Sequence, residues 1–394
     1  MPWPLRMTLY MSVIMFIIFI YHGLRFYFSV NRVQLNPVFF FKVLYIVGGL
    51  LIFTYPVIGY VEYWTFGEFS YRTYPKFLIY AFWYGAVFLG VLFSWLIAGE
   101  LFMMAMAYGT SLEKPIRKVY HSYFIIAITF TIAVYTGVKV YWHTTTIDIE
   151  RITHQLNEEK AGELRPFTVV HIADLHADRY TDEDKIRRYV ERVNNSYPDI
   201  VTFAGDLITT GTAYIDSAAE LMGEIRATYG VFAVIGDHDY WVDEDRITNA
   251  LESYGITVLR NENHWINHGG SQIRLTGLTE IYSQQVPDSR LTELLDEDKG
   301  ESFRIVISHQ ATGRLVEESR TNKVDQLLTG HTHGGQIRIP VFFYPITAAQ
   351  AETDYVIGHW WLDDMLLKIN NGLGFTLAPI RYNAPARVSV ITVR

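Results

Sequence analysis

Four long apolar runs fill the first third of the chain, at residues 7–30, 39–60, 77–107 and 120–142. Each reaches the roughly 20 residues that carry a helix across a bilayer core. The third is too long for one simple span, which predicts a tilted helix or one that continues past the membrane surface to Gly109. Buried core helices are the alternative, but four such runs with so few charges do not suit a soluble core. The first run is long and no small-residue cleavage site precedes the second, so it is read as a span and not as a cleaved leader.

From Phe167 the pattern changes. Short apolar runs at 167–173, 199–204, 231–235, 256–260, 304–307 and 325–329 predict strands, and helical periodicity is present around 182–195, 215–228 and 244–254. Strands alternating with helices predict a layered α/β domain. Between the two regions, Thr145, Ile147 and Ile149 alternate with polar positions, which allows an edge strand, and 158–162 reads as a loop. The chain therefore divides into a transmembrane part at 1–142, a connector at 143–166 and an α/β part at 167–394.

Charge sharpens this division. Residues 1–142 hold four acids (Glu62, Glu68, Glu100, Glu113) and ten Lys and Arg, while the rest holds 37 acids and 23 bases. The second part is thus formally −14 within a total of −8, which argues against a nucleic-acid partner. Loop cations give an orientation. Arg25, Arg32, Lys42, Lys114, Arg117 and Lys118 fall on one side, and Arg6, Arg72, Lys76 and Lys139 on the other. That bias puts both termini, and the α/β part, on the exoplasmic side of a multi-pass cell-membrane protein. Trp64, Tyr71, Tyr74, Trp83, Tyr141 and Trp142 fit interfacial aromatic belts. The chain has no cysteine, which excludes disulfides, thiolate metal sites and a cysteine nucleophile.

The candidate chemistry sits at the carboxyl ends of the predicted strands, where α/β sheets bind ligands. The runs end in Asp174-Leu175-His176, Gly205-Asp206, Gly236-Asp237-His238-Asp239, Ser308-His309 and Gly330-His331-Thr332-His333-Gly334-Gly335. Any one of these pieces is weak, since Gly-Asp is a common turn and a lone histidine is usually a hydrogen-bonded bystander. Five in order, each after an apolar strand, point to one crevice. Of thirteen histidines, five lie in these pieces; His22, His121, His154 and His359 have no such context. Carboxylates with neutral imidazoles suit two divalent ions such as Mn, Zn or Fe. A pair of ions needs a carboxylate between them, and Asp206, on a tight glycine turn, can supply it.

Asp-x-His, Gly-Asp, Gly-x-His-Asp, His and Gly-His-x-His in this order resemble the calcineurin-like metallophosphoesterases. The resemblance covers about 165–394. Gly330 to Gln336, reading GHTHGGQ, and the ending from Gly372, reading GLGFTLAPIRYNAP, are similar to the branch with membrane anchors or export signals. The resemblance implies a two-sheet α/β sandwich with helices outside. It also implies hydrolysis of a phosphomonoester, phosphodiester or pyrophosphate through attack on phosphorus by hydroxide that the metals activate. Asp174, His176 and His333 would hold one ion, Asp237, His309 and His331 the other, and Asp206 would bridge them. His238 would act at the phosphoryl group or leaving oxygen, and Asp239 would orient His238 by a hydrogen bond.

One position departs from the family pattern, which has asparagine where this chain has Asp237. A carboxylate ligates more strongly but adds negative charge beside an anionic substrate. The expectation is a second site that grips its ion harder; the alternative is a metal-binding sensor with weakened turnover. Four spans exceed what tethering needs, since one helix anchors a protein. This suggests a lipid-linked phosphorylated substrate, with plain tethering or oligomerisation as the other reading. Arg381 could meet a phosphate or a salt-bridge partner. A transporter is disfavoured, because the spans offer almost no intramembrane charge for an ion path.

Overall fold

The computed structural model describes residues 1–34, 38–67, 74–156, 160, 162–296 and 303–394. Glu68, Tyr71, Arg72 and most of the loop expected at 158–162 lie outside the described residues. Four helices come first, α1 (Trp3–Arg32), α2 (Val38–Phe66), α3 (Lys76–Gly109) and α4 (Lys114–Thr145). Then come β1 (Ile147–His154), β2 (Phe167–Ile172), α5 (Glu183–Asn194), β3 (Ile200–Phe203), α6 (Ile215–Met222), β4 (Val231–Ala233), α7 (Asp237–Ser253) and β5 (Thr257–Val258). The chain continues through β6 (Glu262–His268), β7 (Ser271–Leu278), α8 (Asp288–Asp296), β8 (Phe303–Ser308), α9 (Gly313–Thr321) and β9 (Gln326–Thr329). It ends with β10 (Ile339–Val341), β11 (Tyr344–Ile346), β12 (Gly358–Leu362), β13 (Met365–Ile369) and β14 (Ala386–Val393). Two compact units result.

The first unit holds residues 1–144 together with 337–347 and 377–383. All four helices are long and apolar enough to cross a membrane. Small residues let them approach. A Cβ on Gly85 would lie 2.7 Å from Ile52 Cγ1, and one on Gly99 would lie 2.3 Å from the Phe124 ring. Arg25 pairs with Glu100, tying α1 to α3. Trp64, Tyr141 and Trp142 are exposed. Trp83 is not; it is 3 % exposed and packs edge-on against Phe82 inside the helical unit, so packing and not an interface fixes it.

Of the two later segments, 337–347 joins this unit as a β-hairpin and 377–383 as irregular chain with one bridge, Tyr382 to Ile337. β10 and β11 form an antiparallel hairpin. Ile339 rests on Gly90 of α3, and Ser94 donates to the Pro340 carbonyl at 3.4 Å. The 377–383 segment runs beside it: Arg338 N–H donates to Tyr382 O at 2.9 Å and the Asn383 amide to Arg338 O at 3.0 Å. Arg381 is fully buried here, and its backbone N–H donates to Thr144 Oγ1 at 3.0 Å.

The second unit is a two-sheet sandwich. One sheet has the order β1-β14-β2-β3-β4-β5 and the other β12-β13-β9-β8-β7-β6. The alternation anticipated near Ile147 and Ile149 is edge strand β1, parallel to β14. Strand residues alternate faces. Val169 and Phe232 of the first sheet meet Ile273, Phe303, Ile305 and Leu366 of the second in the inter-sheet core. Val170, Ile172 and Val201 face outward onto Ile186, Val190, Ala218 and Leu251 of α5, α6 and α7. On the far side, α8 and α9 cover Val306 and Leu327 with Leu291, Leu295 and Leu315. Asp182 and Thr312 cap α5 and α9, accepting from Lys185 N and Leu315 N.

Candidate metal centre

Neighbouring parallel strands deliver side chains at one end of each sheet. β2, β3 and β4 are parallel neighbours in the first sheet, and the turns after them carry Asp174, His176, Asp206 and Asp237. β8 and β9 are parallel neighbours in the second, followed by His309, His331 and His333. The turns pack closely: a Cβ on Gly236 would lie 2.2 Å from Asp206 Oδ1, and one on Gly205, at φ +84°, would lie 2.4 Å from Gly236 N. Only glycine fits either position.

Five of the seven expected ligands have left-handed backbone: Asp174 (φ 52°), His176 (47°), Asp206 (61°), His331 (69°) and His333 (52°). Such strain costs about 1 kcal/mol or more per residue and persists only where surrounding bonds enforce it. Here Asp174 N–H donates to Gly205 O and His176 N–H to Asp206 O, both at 2.9 Å. The Asp174 carboxylate accepts from His331 N–H at 2.9 Å, which links the two sheets.

The side chains fall into two groups. Ligand atoms of Asp174, His176 and His333 lie within 4.8 Å of one another, and so do those of Asp237, His309 and His331. Asp206 Oδ2 stands between the groups, 3.2 Å from His176 Nε2 and 3.4 Å from His309 Nε2. His176 and His333 bring their Nε2 atoms to 2.9 Å. Six of the seven are buried and His331 is half-buried. A buried cluster of three carboxylates with converging imidazole nitrogens is a donor set that fits two divalent cations.

The electrostatics agree. Burial, with Asp206 adding to it, pushes Asp174 up to about 7, and burial with Asp237 raises Asp206 as well. For Asp237, burial pushes up, but hydrogen bonds from His309 and His331 outweigh it and hold the carboxyl well below its usual range. Burial would lower His309 and His331, yet the surrounding carboxylates win. His309 is held well above its ordinary value and His331 at about 9. The site thus collects protons on its imidazoles to balance its acids, a task a bound cation takes over. His309 is set for this. Its Nδ1 faces the Ala204 carbonyl at 2.7 Å and so carries a proton, which turns Nε2 toward Asp206 and Asp237.

His238 lies beside the first group, its ring 4.8 Å from that of His176. Its backbone N–H donates to Asp206 Oδ1 at 2.9 Å, and Nδ1 donates to Thr209 O at 2.6 Å. The expected hydrogen bond from Asp239 to His238 is not formed. Asp239 is in the first turn of α7 and reaches back, so its carboxylate accepts from the N–H groups of Asp206 (2.8 Å), Leu207 (2.8 Å) and Gly236 (3.1 Å). It satisfies a ring of buried amides, and the Thr209 carbonyl orients His238 instead. Asp239 is therefore a positioning residue of the turns.

Four neighbours carried no sequence signal or only adjacency. Gln310, next to His309, places its amide 3.3 Å from His331 Nδ1. Glu352 Oε2 lies 3.2 Å from His331 Nε2. Tyr282 and Trp241 are exposed, with rings 5.7 Å from His331 and 5.5 Å from His238. Arg381 belongs to the helical unit.

Residues 167–335 match the model of the family described as Calcineurin-like phosphoesterase. The metallophosphoesterase YkuE of Bacillus subtilis is 28% identical over 237 residues, covering 58% of this chain and 79% of that protein. A metallophosphoesterase of Aquifex aeolicus is 25% identical over 268 residues, covering 67% of this chain and 98% of its own length. Phosphodiesterase YaeI of Escherichia coli is 26% identical over 272 residues, covering 68% and 97%. The matched family is described as a phosphoesterase, these relatives as metallophosphoesterases or a phosphodiesterase, and the His/Asp groups of this chain could hold the divalent ions such chemistry uses.

Proposed function

We propose that this chain, with its calcineurin-like phosphoesterase match at 167–335, is a multi-pass membrane hydrolase of a lipid-linked phosphoester or pyrophosphate, of the membrane-anchored branch. The observation that carries the hydrolytic reading is Asp206 Oδ2 standing between two His/Asp groups. Asp174, His176 and His333 would hold one ion, Asp237, His309 and His331 the other, with Asp206 shared. When bound, two such ions neutralise phosphate oxygens and lower the pKa of a water. In the net reaction water adds to phosphorus, the bond to the leaving oxygen breaks, and that oxygen takes up a proton. His238 is suited to hand over this proton. Thr209 O fixes Nδ1 as a donor, which leaves Nε2 as the atom free to work at the leaving group. Tyr282 and Trp241 offer apolar surface beside His331 and His238 for the remainder of the substrate.

The lipid reading rests on four helices long and apolar enough to cross a membrane. The loop cations favour the exoplasmic side for the catalytic unit. The test is a lipid extract incubated with the purified full chain and Mn, screened for loss of one phosphorylated species, with His331→Ala as control. Hydrolysis of an aryl phosphodiester without loss of any lipid would keep the hydrolase and remove the lipid. Asp237 is tested by Asp237→Asn; unchanged bound metal with much higher hydrolysis would refute the tighter-grip reading. A reporter fused after Arg394 reads the side of the membrane.

A further inference from the structure

The β10–β11 hairpin breaks the rules for a turn in water. Two-residue hairpin turns favour Asn, Asp and Gly, because the turn needs left-handed backbone and faces solvent. Here the two turn residues are Phe342 and Phe343, and Phe342 is left-handed at φ 56°. Phe342, Phe343, Tyr344 and Ile346 are all exposed, Phe343 completely. No charged residue occurs from Ile339 to Gln350, in a part of the chain that is otherwise strongly acidic.

The hairpin's position within the helical unit says what meets this surface. Its strand β10 packs on Gly90 and Ser94 of α3. These residues stand 14 and 18 positions after Lys76, or about 21–27 Å along a helix that rises 1.5 Å per residue. That is well inside the apolar stretch of α3. Non-helical backbone at such a level is tolerated where protein covers it, and here α3 covers one side of β10, Ser94 donates to the Pro340 carbonyl, and β10 pairs with β11. The other side and the tip carry only apolar and aromatic groups.

We propose that the 337–347 hairpin is a membrane-penetrating element whose tip, Phe342-Phe343-Tyr344, contacts the acyl chains of bilayer lipids. The proposal rests on the reading of α1–α4 as spans. It adds to that reading a fifth, non-helical contact with lipid, built from the segment that begins four residues after His333.

The absence of cysteine makes the test direct. Single variants Phe343→Cys and Tyr344→Cys, each carrying a nitroxide, are placed in phosphatidylcholine vesicles as the full chain. Accessibility to oxygen and to a water-soluble nickel chelate is compared with Val134→Cys on α4 and Tyr197→Cys in the second unit, both exposed positions. The expected result is an oxygen-to-nickel ratio at 343 and 344 several-fold above that at 197 and close to that at 134. Nickel access at 343 and 344 equal to that at 197, with 134 still protected, would overturn the proposal and leave the spans intact. Nickel access at 134 as well would overturn the spans, and the proposal with them.

Discussion

Replacing Asp239 with Asn separates a role in the scaffold from a role in proton transfer. The wild-type carboxylate accepts from Asp206 N–H and Gly236 N–H on Oδ2 and from Leu207 N–H on Oδ1. An amide of the same shape keeps one oxygen and turns an NH₂ group toward at least one buried N–H. Losing one or two bonds and stranding their donors costs about 3 kcal/mol. For a domain of this size that lowers Tm by about 6–12 °C. Because every one of these N–H groups lies in the turns that carry Asp206 and Asp237, metal retention falls with it. The assay is thermal unfolding of the metal-loaded full chain in detergent, read with bound metal and the pH profile of aryl phosphodiester hydrolysis. The expected result is a large Tm drop, reduced bound metal and a residual activity whose pH profile is unmoved. An unchanged Tm with a displaced pH profile would refute the reasoning, since it would mean that Asp239 acts through His238 after all.

Gly236→Ala places a methyl group 2.2 Å from Asp206 Oδ1, so bound metal should weaken by roughly 10–100-fold in a metal titration. His331 is held at about 9 by Asp237 and Glu352 against the effect of burial, and an ion must displace its proton. Metal affinity should therefore fall as pH drops below about 9; a flat titration between pH 6 and 9 would contradict this. Lys368 is fully buried and bonds Glu150 and the Gly358 carbonyl. Lys368→Ala leaves Glu150 with His359 and Arg387 alone, and should cost about 3 kcal/mol in denaturant unfolding.

The layered α/β pattern and the candidate ligands at its strand ends were legible in the sequence for one physical reason, the second sheet being implied by the family resemblance. Buried parallel strands are near-continuous apolar runs, so the polar residue that ends each run stands out. β2, β3, β4, β8 and β9 all announced themselves this way. β6, with Glu262, Asn263, His264 and His268, did not, because an edge strand tolerates polar side chains on its open face. Asp239 was misread because Gly-Asp-His-Asp puts it next to His238 in sequence, while the first turn of α7 points it back to Asp206 and Gly236. The 337–347 hairpin was invisible for the opposite reason. Ile339-Pro340-Val341-Phe342-Phe343 is as apolar as a core strand, and composition alone does not say that such a run packs on a membrane-type helix and not between sheets.

Asp174 and His333 are 159 positions apart in the chain, on different sheets, yet their side chains would share an ion. An ion held there is a removable cross-link in a protein that has no disulfide to staple it. Resistance of the sandwich to proteases would then rise with the supply of divalent metal, because an ion held only by the folded chain adds its binding free energy to the stability of that fold.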